Sequence, residues 1–564
     1  MKFEDMKKRV PSLEKTKKKL EELTTKLNEA STKEEAIRVV RSYFKFSDSL
    51  ETDVTVISIR NTINTKDKVY EKAMNKINEI LPVIQGYDQT FRQALVNSKF
   101  RKDLEETFGS PFFKMIDASF KVYDEKIIPL MVEENNLDLE YSKIMSGAEI
   151  EFKGETYSLT QLGKFLSDKD KDVREEAAKL YYAYLEENDE KIGEIYDKMV
   201  HLRDKMAKEL GFKNFVEMAY LRLGRLDYNE EDVSKYRDQI YKVVVPMVKK
   251  IRRKQANRLG ISKPNFLDYN VMFKTGNAKP LGNSEFLVQR AKEMYEDMSK
   301  ESGEFFNYMI DNHLMDLDAK PGKRGGGYMT YMPKYKAPFI FSNSNGTSQD
   351  VDTLTHEVGH AFQGYLGSKI KVPAYRMPTL EACEIDSMSM EFFAYPYMES
   401  FFGSDAEKYK YAHLSEAIAF LPYGVEVDEF QHWVYHNVDA THEERCAKWM
   451  ELEKKYRPWM NYKNVPFLNK GKIWIRQSHI FSSPFYYIDY TLAQVLAFEF
   501  KCEMDKNREK AWKKYIKLLK MGGKDPFVEL ITKAHLKNPF VDGTVKKYTK
   551  PLIKILDSTD DTKL

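Results

Sequence analysis

The chain has 564 residues, about twice what one hydrophobic core usually organises, so two or more lobes are expected. Its 90 basic and 87 acidic side chains leave a formal charge of +3, which gives no electrostatic case for nucleic acid or an anionic membrane surface. The three cysteines, Cys383, Cys446 and Cys502, are widely spaced and form no CxxC, which argues for a reducing compartment over a disulfide scaffold.

Met1 to Arg9 is basic without a following apolar core, so it does not read as a signal peptide. No apolar run approaches the roughly 18 residues that cross a bilayer, and a cytoplasmic location is expected. From Ser12 to Ile128 the only prolines are Pro82 and Pro111 and the only glycines Gly86 and Gly109, while Leu13, Leu20, Leu23 and Leu27 recur at helical spacing. This predicts an antiparallel helical array, and residues 1–150 are taken as an N-terminal helical region. Runs such as Lys17-Lys18-Lys19 read as solvated helix faces with i,i+4 partners.

Residues 151–564 are taken as the catalytic region, contributing to both lobes. Glu149 to Phe152 and Thr156 to Leu159 alternate around Lys153-Gly154 as a short hairpin, and long helices resume from Asp168 to Leu210. Glycine and proline become denser after Gly260, where a Gly325-Gly326-Gly327 turn and a short strand at Phe339 interrupt the helices. The expected fold is mainly α, with a small β element beside the irregular half that carries the chemistry.

That chemistry centres on His356-Glu357-Val358-Gly359-His360. Two histidines four residues apart on a helix project to one face, about 40° apart around the axis, and both can offer a ring nitrogen to a single Zn²⁺. Glu357 points toward the place of an attacking water, so the pattern reads as ligand, base, ligand. By composition alone the expected number of His-acid-x-x-His matches is about 0.03.

A catalytic zinc needs a third protein ligand and keeps a fourth position open. The metzincin pattern would need histidine at Leu366 and glycine at Gln363, and it fails. Downstream, Leu380 to Phe393 reads as a helix carrying Glu381, Glu384, Asp386 and Glu391. At 100° per residue Glu384 and Glu391 nearly eclipse, Glu381 lies about 60° off them, and Asp386 about 160° from Glu384. Helix geometry leaves Glu381, Glu384 and Glu391 as contenders.

Several segments together resemble the thimet oligopeptidase and oligoendopeptidase F family of zinc metallopeptidases, most of all its bacterial oligoendopeptidase F-like branch. They are Gly322-Lys323-Arg324 followed by three glycines, Phe339-Ile340-Phe341, Asn345-Gly346-Thr347, and Thr353-Leu354 leading into the motif. Glu384-Ile385-Asp386-Ser387 through Glu391 and His479 followed by Phe485 to Tyr490 complete the match. The similarity extends from about Ser167 to Phe500.

The resemblance implies one Zn²⁺ held by His356, His360 and Glu384. It also implies that His479 with Tyr490 and Tyr487 serves the reaction, with Tyr486 as the third candidate among these tyrosines. Family members resemble two helical lobes facing across a deep channel that admits short peptides and excludes folded proteins.

On this reading Glu357 takes a proton from water and passes it to the leaving amine, and His479 with a tyrosine donates to the oxyanion. Glu391 is expected to accept from a ligand imidazole and fix its tautomer. Phe339 to Asn345, including Phe341 and Asn343, is expected to act as an edge strand pairing with an extended peptide, with Gly346 also at the substrate. The three glycines are expected to form a mobile loop over it. The resulting activity is internal cleavage of short unstructured peptides, with no obligate protein partner. The alternatives are a zinc carboxypeptidase and a peptide-binding protein that has lost turnover.

Overall fold

The computed structural model describes residues 1–320, 322–462 and 465–564. Helices account for most of it, as expected. Two compact units emerge, each assembled from three stretches of chain. The first comprises Met1–Ser119, Pro280–Phe401 and Glu509–Leu530; the second comprises Phe120–Lys279, Phe402–Arg508 and Ile531–Leu564.

The first unit begins with helices Leu13–Glu29, Lys33–Ile63 and Lys68–Val96, which pack on one another through short connections. Each start is capped by a side chain that satisfies an orphan amide: Ser12 accepts from Lys15 N–H, Thr32 from Glu35, and Asp67 from Val69 and Tyr70. Leu20, Leu23 and Leu27 face inward. The basic run at Lys17 to Lys19 is solvated and pairs with Glu21 and Glu22 along the same helix.

Five short strands occur among the described residues: β1 (Ile150–Phe152), β2 (Glu155–Tyr157), β3 (Met315–Asp318), β4 (Tyr328–Met332) and β5 (Ala337–Ser344). β1 and β2, in the second unit, form the expected hairpin. Lys153 and Gly154 both take positive φ, at 51° and 82°, which matches the right-handed twist of a two-residue hairpin.

The other three strands form a sheet in the first unit with order β3-β5-β4. This corrects the edge-strand expectation, because β5 lies in the centre, parallel to β3 and antiparallel to β4. The physical reason is its apolar run: Ala337 to Ser342 is buried throughout, and Phe339 and Phe341 are wholly in the core. Pro338, which has no N–H to offer, pairs only with β4, before the β3 pairing begins at Ile340. The edges of the sheet are β3 and β4.

No helix among the described residues is long and apolar enough to cross a membrane.

Candidate active site

The first unit contains the motif helix, Gln349–Gly367, which follows β5 directly. Asp350 in its first turn accepts hydrogen bonds from Asn345 N–H at 3.0 Å and Gly346 N–H at 2.7 Å, folding the connection back onto the helix start. Gly346 makes this turn with φ 85°. Asn345 and Gly346, expected at the substrate, thus spend their backbone donors inside the protein.

His356 and His360 lie on one face with ring centroids 4.9 Å apart. Glu384 comes from the following helix, Leu380–Phe393, and its Oε2 lies 3.4 Å from His356 Nε2 and 3.6 Å from His360 Nε2. One donor atom from each of the three residues falls within 4.8 Å of the others. The Ser387 hydroxyl donates to Glu384 Oε2 at 3.2 Å, one turn along.

The approach of the two helices depends on Gly359. A Cβ there would meet the Asp386 carbonyl oxygen and Ser387 Cα, both at 2.7 Å. Tyr515 holds the far side of this contact, donating to the same Asp386 carbonyl at 2.6 Å. Neither role was foreseen: the glycine stood in a motif position that any residue can fill, and Tyr515 is distant in sequence.

Both imidazoles are oriented by partners beyond the donor cluster. Glu391 Oε1 lies 2.7 Å from His356 Nδ1, and the His360 ring hydrogen-bonds the Cys383 backbone carbonyl. Each ring thereby keeps one nitrogen lone pair for another use. Burial opposes charge on both rings. At His360 burial prevails and the pKa falls to about 4. At His356 the hydrogen bonds to Glu384 and Glu391 outweigh it, and the pKa is held well above 6.5. Two carboxylates thus surround the rings with negative charge that calls for a cation.

Glu357 is 8% exposed, and burial pushes its pKa up to about 7, with Glu384 and Glu391 adding to the shift and His356 opposing it. Its Oε2 is buried without a hydrogen-bond partner. The Met329 backbone N–H of β4 bonds this carboxylate, and Gly327 lies beside it, where an added Cβ would stand 3.7 Å from Oε1. Two imidazole nitrogens and a carboxylate oxygen suit Zn²⁺, and an orphaned carboxylate oxygen beside them fits a base with a water to deprotonate. The residues present fit the metal.

The glycine turn is tied down more than the sequence suggested. Asn343 donates from Nδ2 to the carbonyls of Arg324 at 2.8 Å and Gly326 at 2.7 Å, and Arg324 N–H donates to Thr62 O at 2.9 Å. Asn343, expected at the substrate, therefore braces the loop that approaches Glu357.

The second unit contains the tyrosine segment. His479 sits on a short helix, Ser478–Ser482, and its ring centroid lies 5.0 Å from that of Tyr487, 5.9 Å from Tyr490 and 6.1 Å from Tyr486. All three tyrosines surround one imidazole. Phe485 takes φ 67°, a strained value for a bulky residue. Gln431 Oε1 accepts its N–H at 2.8 Å, and Arg225 Nη2 donates to its carbonyl at 2.7 Å and to Asp489 at 2.6 Å. Arg225 and Gln431 were missed from sequence, since nothing local marks a buried arginine as the brace of a segment about 260 residues away.

A family model described as peptidase family M3 matches residues 164–550, and the model of a peptidase M3 N-terminal domain matches residues 3–123. An oligoendopeptidase F homolog of Borreliella burgdorferi is 24% identical over 501 residues, covering 84% of this chain and 80% of its own length. The structure of PZ peptidase A with an inhibitor superposes with a TM-score of 0.95 at 44% identity, over 100% of both chains. A Bacillus anthracis protein described as an oligoendopeptidase F gives a TM-score of 0.91 at 43% identity, covering 100% of this chain and 99% of its own.

Proposed function

We propose a zinc-dependent oligopeptidase from one premise: the chain belongs to peptidase family M3 and is an endopeptidase. The observation that carries the zinc assignment is the convergence of His356, His360 and Glu384 beside the orphaned Glu357 Oε2. In this reading His356, His360 and Glu384 hold one Zn²⁺ per chain, with Glu391 fixing the His356 ring. When bound, the metal supplies Lewis-acid polarisation of the scissile carbonyl and acidifies the attacking water.

Glu357 takes the proton of that water through its unpartnered oxygen and later gives it to the leaving amine. His479 with Tyr490, Tyr487 or Tyr486 donates to the carbonyl oxygen as it gains charge; this role rests on the resemblance of their segment to the family's.

The peptide is placed along the outer edge of β4, Tyr328 to Met332, in place of β5. β4 is one of the two edge strands, and its Met329 N–H bonds the base, so a peptide added there would run beside Glu357. Strand addition needs an extended chain, which favours short unstructured peptides over folded proteins. Free thiols at Cys383, Cys446 and Cys502 support a cytoplasmic setting.

Mass spectrometry of a peptide pool incubated with the enzyme tests the reading. Internal cleavage that stops with chelator, returns with Zn²⁺ and is absent in zinc-loaded Glu357→Gln is expected. Chelator-resistant cleavage would overturn the zinc assignment, and near-normal turnover by Glu357→Gln would remove Glu357 from the chemistry.

A further inference from the structure

The hydrogen bonds leading to His479 run in one direction. Tyr423, on the helix Ala406–His436, directs its hydroxyl to Gln477 Oε1 at 2.6 Å, and Gln477 Nε2 lies 2.8 Å from His479 Nδ1. Arg476 lies beside the Tyr423 hydroxyl, where its charge and hydrogen bonding act against the effect of burial. A guanidinium has donors and no acceptor, so Arg476 can only give a hydrogen to the phenol oxygen. Burial pushes the Tyr423 pKa up, so the phenol keeps its own proton. That proton belongs on the next acceptor, the Gln477 carbonyl oxygen. The orientation of the amide follows, and its NH₂ has no lone pair with which to accept from the ring.

We infer that Gln477 is a positioning residue that holds His479 as the neutral Nε2–H tautomer, with Nδ1 committed as an acceptor. Turning the amide over would take from the Tyr423 proton the oxygen that accepts it, and would set that oxygen against Nδ1. Protonation of the ring is opposed for the same reason, because Nδ1–H would then confront the Gln477 amide hydrogens. His479 is thereby prepared as a hydrogen-bond donor through Nε2, the form an oxyanion requires and a general base does not. The catalytic consequence rests on the oxyanion role proposed above, whereas the tautomer itself stands apart from it.

Two measurements test this. In two-bond ¹H–¹⁵N spectra of [¹⁵N]histidine-labelled full-length protein, the signals lost in His479→Ala identify the ring. Nδ1 is expected in the lone-pair range and Nε2 in the protonated range. The reverse pattern, or an imidazolium at neutral pH, overturns the inference.

The second measurement is kcat against pH for Gln477→Glu. A carboxylate at this position accepts from Nδ1–H, so above the imidazole pKa the neutral ring presents a bare Nε2. The ratio of variant to wild-type kcat should fall by about tenfold or more as pH rises through that pKa. The fall should be absent when Gln477→Glu/His479→Ala is compared with His479→Ala.

Other groups facing this cluster are Tyr486, Tyr487 and Tyr490 on the following segment, and Arg457 over the Tyr423 ring with its partner Glu426. Glu426 is pushed up to about 7 by burial and is present in every variant, so a limb due to it would survive the loss of His479. A limb that persists without His479 counts against the inference. A flat ratio with the Nε2–H tautomer confirmed leaves the tautomer standing and removes the oxyanion role of His479.

Discussion

Gly359 Cα lies so close to the Asp386 carbonyl that a Cβ would stand 2.7 Å from the oxygen, and this contact sets how near the Glu384 helix comes to the two histidines. Gly359→Ala is therefore expected to push the helices apart and lower zinc affinity although no ligand is changed. Overpacking of this kind costs about 1–3 kcal/mol of stability. Zinc titration and thermal unfolding check both effects; unchanged affinity with lowered stability would mean that the helices move without moving Glu384.

The three glutamates of the Leu380–Phe393 helix should separate by zinc content. Glu384→Ala should lose stoichiometric metal, Glu381→Ala should keep it, and Glu391→Gln should keep it with affinity lower by about 10–100-fold. Glu391 acts through His356 Nδ1 at 2.7 Å, and an amide there is a weaker acceptor. Metal analysis after dialysis against graded chelator decides among them. Full zinc in Glu384→Ala would exclude it as the third ligand.

How much of this was legible in the sequence depended on whether the determinant was local. His356 and His360 sit on one helix, so their shared face follows from spacing alone, and helix angles narrowed the carboxylate to three positions. Choosing among those three needed the second helix in place, which depends on the Gly359 contact across two segments. The strand at Phe339 was recognisable as β, yet its apolar run was read as an edge. A run buried on both faces indicates a central strand, and β3 and β4, which flank it, are short and mostly half-buried, so neither stands out as a strand. Around His479 the relevant partners are Gln477, two residues away, and Tyr423, on another helix. The amide can sit either way round, and the Tyr423 hydroxyl, from a distant helix, orients it.

A pH dependence of stability is expected from the second unit, independent of catalysis. His442 Nε2 lies 3.0 Å from Asp189 Oδ1, and Lys472 also pairs with Asp189. Burial opposes the charge on His442, but hydrogen bonds to Asp189 and Cys446 prevail and raise its pKa to about 9. A pKa raised on folding means that the folded state binds the proton more tightly. The contribution is fully present below about 6.5 and is lost as pH rises through about 9. Solvent screening of this partly exposed ring reduces its size to on the order of 2 kcal/mol. Urea unfolding of wild type and His442→Gln between pH 6 and 9.5 isolates it: the stability difference should shrink with pH. A constant difference would mean that the native ring is neutral throughout.

The tyrosines around His479 are tested by kinetics. A hydroxyl directed at the carbonyl oxygen strengthens its bond only as charge develops, so Tyr490→Phe should lower kcat far more than it raises KM. Loss of one such donor costs about 2.7–4 kcal/mol, which corresponds to roughly 10²–10³ in kcat. His479→Ala should fall in the same range, because its ring packs against Tyr490 at 5.9 Å between centroids and Tyr487 at 5.0 Å. If the imidazole and a phenol serve one oxyanion, the double variant should lose less than the product of the single losses. Strict multiplicativity would separate their roles. A Tyr490→Phe enzyme within about twofold of wild-type kcat, well short of the tenfold that about 1.4 kcal/mol represents, would make Tyr490 a packing residue and move the assignment to Tyr487 or Tyr486.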